Sequence, residues 1–120
     1  MNTKELCSRY SAGQRDFRNL NLMAANLRNL NLAGINLSGA NLTKANLTKT
    51  NLSQANLTGA ILTGANLTET NLMSANLVDA NLSDTSLASA KLNRACLRGA
   101  TIPKDMHPSA PSNPLNVSLS

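Results

Sequence analysis

Two cysteines, one histidine and six carboxylates are the residues of this 120-residue chain that could hold a metal or move a proton. Cys7 and Cys96 stand far apart and lack the C-x-x-C spacing of a redox or zinc site, so they read as reduced thiols rather than a disulfide framework. His107 lies far along the chain from Cys7, in a proline-rich stretch, which leaves a metal without a second imidazole. Serine and threonine are plentiful, but a nucleophilic hydroxyl needs a base beside it, and none is near in sequence. Glu5, Asp16, Glu69, Asp79, Asp84 and Asp105 are too scattered to form a paired acid and base. No glycine-rich loop opens a helix to cradle a phosphate. The chemistry-bearing residues thus argue against an enzyme, and name no catalytic residue, metal ligand or cofactor.

The formal net charge of +5 permits attraction to nucleic acid or anionic lipid, but the eleven basic residues form no run, so a solvated basic surface is the simpler reading and neither partner is expected. "MNTKELCSRY" has no apolar core of the signal-peptide kind, and no long apolar run follows, so the expected location is cytoplasmic, away from membranes. N-x-S/T sequons occur at Asn36, Asn41, Asn46, Asn51, Asn56, Asn66, Asn81 and Asn116. All but the last follow from a repeat and carry no message about glycosylation. "LRNLNLAGIN" imitates a leucine-rich repeat over ten residues, without the period of about 20–29 that such a repeat requires.

The repeat has a period of five. Apolar residues stand at Phe17, Leu22, Leu27 and so on to Leu97 and Ile102, eighteen positions without a polar exception. Two residues before each is a small or apolar residue, most often Ala, with Arg15 the one charged departure; one residue before is usually Asn. Neither regular structure can bury this pattern. On a helix each leucine would turn about 140° from the last, smearing them around the cylinder. On a straight strand an odd period sends successive leucines to opposite faces. Read together, the Ala and Leu positions alternate in gaps of two and three: a short extended pair, then a corner. A chain that turns a corner every five residues coils, and its coils stack into a solenoid. Asn and Gly fit the corners because both tolerate positive φ. The spacing leaves open how many sides a coil has, although Thr50 and Thr70 share a column if it holds twenty residues. Lys49 then lies beneath Glu69 and Asp84 beneath Lys104, structural ion pairs of about 0–1 kcal/mol.

The run "ANLTKANLTKTNLSQANLTGAILTGANL" resembles the pentapeptide-repeat family, whose pattern is A-(D/N)-L-X-X, over residues 15–104. The resemblance implies an all-β solenoid, a right-handed quadrilateral β-helix with four repeats per coil. Eighteen repeats then make about four and a half coils, a rod on the order of 20 Å long at ~4.8 Å per coil. Residues 1–14 read as a capping helix, with Thr3 as N-cap, Leu6 and Tyr10 a turn apart, and Gly13 as the stop. Bulky Leu20, Leu30 and Ile35 fill the first coil beneath it. Such an "ELxxRYxxGxRDF" start is similar to that of cyanobacterial members. The Asn position decays to Ser86, Lys91, Cys96 and Thr101, and residues 105–120 form a Pro/Ser-rich tail expected to be flexible. Within the tail Leu115, Val117 and Leu119 alternate, as a strand at the open end or against another copy would.

Ile61 stands where Asn is expected and points outward, and Met73 and Val78 are exposed in neighbouring repeats, so these three mark a candidate interaction surface. The function expected first is a non-enzymatic interaction protein presenting a rigid Asn- and Thr-rich rod to another protein, or to itself through the C-terminal end. The family resemblance implies a second reading, a DNA-mimicking gyrase ligand. That needs a long acidic rod, and this one is short and basic. A third is adsorption to ice, but its threonines spread over several faces.

Overall fold

The computed structural model describes residues 1–104. Parallel bridges pair each residue before a centre with the residue twenty positions later, from Asp16 with Asn36 to Asn81 with Thr101. Twenty residues, or four repeats, therefore complete one coil, and the chain stacks on itself in register. Each repeat joins its neighbours above and below through backbone bonds: Phe17 N–H donates to Asn36 O (2.8 Å), Asn36 N–H to Arg15 O (2.8 Å) and Asn19 N–H to Ser38 O (2.9 Å). This ladder satisfies the main chain of segments too short to form ordinary strands.

The interior is the column of centres. Every centre from Phe17 to Leu97 is buried and Ile102 is partly so, packed with the alanines two residues earlier. Thr50 and Thr70 occupy one inner column, fully buried. Their hydroxyls donate to Leu27 O (2.6 Å) and Leu47 O (2.7 Å) in the preceding coil, so burial leaves no orphan polar atom there.

The corners meet the expectation only in part. A turn bond closes each from Leu22 onward, as from Ala25 N–H to Leu22 O (3.1 Å), and the left-handed residue lies two after the centre. That residue is Gly at five corners, from Gly34 to Gly99, and Asn at Asn19 and Asn29, but elsewhere it is a residue such as Lys44, Lys49, Gln54, Glu69 or Arg94, with φ near +60°. Positive φ at the third turn residue alone is type II geometry. The repeat asparagine instead lies in the extended segment, and its side chain braces the corner: Asn46 Oδ1 accepts from Thr48 N–H (3.1 Å) and Thr48 Oγ1 (2.7 Å). Its value is the Asx-type hydrogen bond rather than tolerance of positive φ.

Helix α1, Thr3–Ser11, lies against the first coil. Its N-cap is Asn2 and not Thr3: Asn2 Oδ1 accepts from Glu5 N–H (2.8 Å). Thr3 is the first helical residue, and its hydroxyl donates to Asn26 O (3.3 Å). Gly13 follows the helix at φ +104°. Leu6 is buried in the core, with Tyr10, Leu20 and Leu30 partly buried against it and Ile35 fully enclosed. In later coils the carbonyls equivalent to Asp16, Asn26 and Ala33 accept from a coil below. In the first coil they accept from Gln14 Nε2 (2.9 Å), Thr3 Oγ1 (3.3 Å) and Tyr10 Oη (2.6 Å). The Arg15 guanidinium stacks 3.8 Å from the centre of the Tyr10 ring, which gives the charged departure of the first repeat a partner outside the core.

Candidate functional site

With the interior filled by leucine and alanine, chemistry is confined to what the coils turn outward. Successive repeats supply four faces, which we label by their first members: face A holds residues 35–39, 55–59 and 75–79; face B 40–44, 60–64 and 80–84; face C 45–49, 65–69 and 85–89; face D 50–54, 70–74 and 90–94. Rows of Asn and of Ser or Thr run up these faces, the hydroxyls of Ser38, Thr43, Thr48, Thr58 and Ser83 each donating to the asparagine of the same repeat.

Titratable groups do not converge. Cys7 on α1 and Cys96 in the last coil are both free thiols and half-buried. Among the described residues no three His, Cys, Asp or Glu side chains gather as a metal would need. The guanidinium of Arg18 hydrogen-bonds Asp16 (2.9 Å) and holds its carboxyl below the usual aspartate value, and the carboxylate in turn raises Arg18; the pair is open to solvent. The remaining ion pair among the described residues is Arg9 with Glu5 (2.7 Å) on α1. Lys49 with Glu69, and Asp84 with Lys104, are stacked by the twenty-residue coil but do not close into the ion pairs expected of them among the described residues.

The apolar candidates are separated by the coil. Ile61 (41% exposed) lies on face B and Met73 (39%) on face D, the opposite side, while Val78 is half-buried on face A rather than exposed. Met23, the most exposed large apolar side chain among the described residues at 54%, lies on the same side as Ile61. The sequence reading named Met73 and Val78 at the same position after a centre but not Met23, although the repeat places all three alike. Leu115, Val117 and Leu119 lie outside the described residues.

A family model for pentapeptide repeats matches eight copies over residues 21–59, 50–87 and 65–102. The chain belongs to the pentapeptide-repeat family. Its coil is therefore a right-handed quadrilateral β-helix, as the family's structures imply. A pentapeptide-repeat protein from the cyanobacterium Nostoc PCC 7120 is 32% identical, with 88% of each chain covered and a TM-score of 0.55. HetL, from Nostoc sp. strain PCC 7120 and involved in heterocyst differentiation regulation, is 39% identical at a TM-score of 0.43; the match covers 83% of this chain but 46% of HetL. Rfr23 from Cyanothece 51142 is 35% identical over 72% of this chain and 63% of that one, at a TM-score of 0.41. No curated protein matches the chain. Among the described residues no helix is long and apolar enough to cross a membrane.

Proposed function

We propose that this pentapeptide-repeat protein is a non-enzymatic, cytoplasmic interaction protein that offers the faces of a rigid rod to another protein. In this reading residues 15–104 form about eighteen repeats in four and a half coils, and α1 caps the first of them. The observation that carries the reading is the split between inside and outside. The centres are leucine almost without exception, whereas the two residues after them range over Met, Arg, Ser, Thr, Val, Lys, Glu and Asp while the backbone stays the same. A scaffold that fixes its interior and frees its surface is suited to recognition, since binding chemistry can change without touching the fold. The separation of Ile61 from Met73 favours one apolar contact per face, and Ile61 with Met23 makes face B the better apolar candidate.

Affinity capture from native lysate tests the reading, with the full chain and an Ile61→Asn variant as paired baits. A protein retained by the first bait and lost by the second, with thermal unfolding of the two baits alike, supports it. Capture of nothing by either bait overturns it.

A further inference from the structure

Face C is bounded by two corners, and these four-residue columns carry charge in an order found on no other face among the described residues. On the corner shared with face B stand Ala24, Lys44, Gly64 and Asp84; on the corner shared with face D stand Asn29, Lys49, Glu69 and Ser89. Of these four charges the cations lie toward the N-terminal end and the anions toward the C-terminal end; Lys104 follows Asp84 in the same column, and Arg28 lies on face C in the first coil. All four charged side chains are exposed, and none has an ion partner among the described residues. The surface between them is polar, with Asn46, Thr48, Asn66 and Thr68.

We propose that face C binds a second copy of the same chain, the two related by a two-fold axis normal to the face. This deepens the interaction reading above, and rests on it. A two-fold operation reverses both the direction of the rod and the order of the corners. With the axis about three-quarters of the way from the row of Asn46 to that of Asn66, Lys44 of each copy comes opposite Glu69 of the other, and Lys49 opposite Asp84. Each pair is out of level by about half a coil, ~2.4 Å, which a lysine stem spans. Any parallel arrangement, or an axis displaced by a coil or more, sets like charges together or leaves these unpaired. Gly64 leaves the corner between Lys44 and Asp84 open. Arg28 and Lys104 lie one coil beyond these charges at either end of the face.

The central rows also complement themselves. Asn46 and Asn66 use Oδ1 to brace their own corners, from Thr48 N–H (3.1 Å) and Thr68 N–H (3.0 Å), which leaves their Nδ2 hydrogens unspent as donors among the described residues. The Thr48 hydroxyl spends its hydrogen on Asn46, which leaves oxygen lone pairs as acceptors. A two-fold axis sets donors of one copy against acceptors of the other. The face is small, so the buried area falls below the ~1,200 Å² of a permanent dimer, and the complex is a weak, reversible one.

Sedimentation of the purified full chain at rising concentration, into the millimolar range, tests this against Lys44→Glu/Lys49→Glu, Glu69→Lys/Asp84→Lys and their equimolar mixture. Wild type is expected to associate reversibly, each variant alone at least about tenfold more weakly, and the mixture to regain wild-type association. The lysine variant is the sharper of the two. It lowers the formal net charge from +5 to +1, which on global repulsion alone would strengthen association. A wild type that stays monomeric, variants that associate like it, or a mixture no better than its parts overturns the proposal. Circular dichroism checks that each variant is folded, and Lys44→Gln/Lys49→Gln replaces one that is not. A monomeric chain that still captures a protein from lysate would remove this proposal and leave the interaction reading standing.

Discussion

The coils from Ile35 to Asp84 and the last turn of the rod, Thr85 to Lys104, share a backbone but not the side chains that support it. In the middle coils Asn36, Asn46, Asn56, Asn66 and Asn76 each place Oδ1 on the N–H two residues later. Ser86, Lys91, Cys96 and Thr101 hold the same position in the last turn and brace no corner among the described residues. The register nevertheless continues, with Asn66 bridged to Ser86 and Asn71 to Lys91, and Ser89 and Arg94 keep φ at +60° and +63°. Ile61 repeats the comparison inside the rod: it too lacks the carboxamide, yet it is bridged to both Asn41 and Asn81 above a buried Leu62. Apolar stacking and the backbone ladder therefore dictate the coil, and asparagine reinforces it. Where asparagine is missing in succession the interior loosens slightly: Leu77 is fully enclosed while Leu92 is 4% exposed, and Ala90, Ala95 and Ala100 are half-buried.

The largest effect should come from emptying the core at each place. Leu57→Ala is expected to cost roughly 2–5 kcal/mol, because coils above and below hold the cavity open. Leu92→Ala should fall at or below the lower end of that range, since the looser end can collapse around it. Urea unfolding of the two variants checks this, and equal costs would mean that the last turn is packed as tightly as the middle.

The inner columns were legible because burial imposes a strict period on the centres, and no helix or strand can bury a period of five. Coil length was not, because it depends on the corner angle. Among the residues themselves only the shared column of Thr50 and Thr70 hinted at it; the family resemblance implied four sides, and the bridges supply the twenty residues. The role of asparagine was misplaced for a physical reason: the residue both tolerates positive φ and forms Asx bonds, and a repeat looks the same either way. Asn2 and Thr3 are likewise both good caps, and only the backbone shows that Asn2 is the one outside the helix. As for surfaces, Ile61 was visible because it breaks the Asn column. The segregated charges of face C break no pattern until the coil has placed them.

A second test of the comparison uses glycine. Gly39 has φ +69°, and a Cβ there would collide with the Asn19 carboxamide; Gly99, at φ +73°, would meet the Asp79 carboxylate in the same way. Both alanine substitutions carry the left-handed cost of roughly 1–2 kcal/mol, plus displacement of that side chain. Gly39→Ala should cost more than Gly99→Ala if the last turn gives way more easily. Gly59→Ala, with open space around its Cβ position, should cost least of the three.

The brace itself can be moved. Asn46→Ala removes the acceptor of two bonds and should cost about 0.5–1.5 kcal/mol. Ser86→Asn restores the acceptor in the last turn and should gain a similar amount at most, read as a rise in the urea midpoint. If Ser86→Asn gained nothing, the last turn would be limited by its packing, and the missing carboxamides would not account for the difference between the two regions.

The smallest effect addresses what the regions share. Gln54 and Arg94 lie on one corner two coils apart, with φ of +60° and +63°. Glycine at either relieves the left-handed strain, roughly 1–2 kcal/mol for an L-residue. It also gives the unfolded chain more freedom, which removes roughly 0.4–1 kcal/mol of that gain. Gln54→Gly and Arg94→Gly should therefore each stabilise the fold by about 0.5 kcal/mol, and by the same amount, since neither term depends on side-chain packing. Paired urea titrations would resolve unequal shifts. A gain at Gln54 with a loss at Arg94 would show that the arginine stem covers the open last coil, making the end of the rod depend on its surface residues as the middle does not.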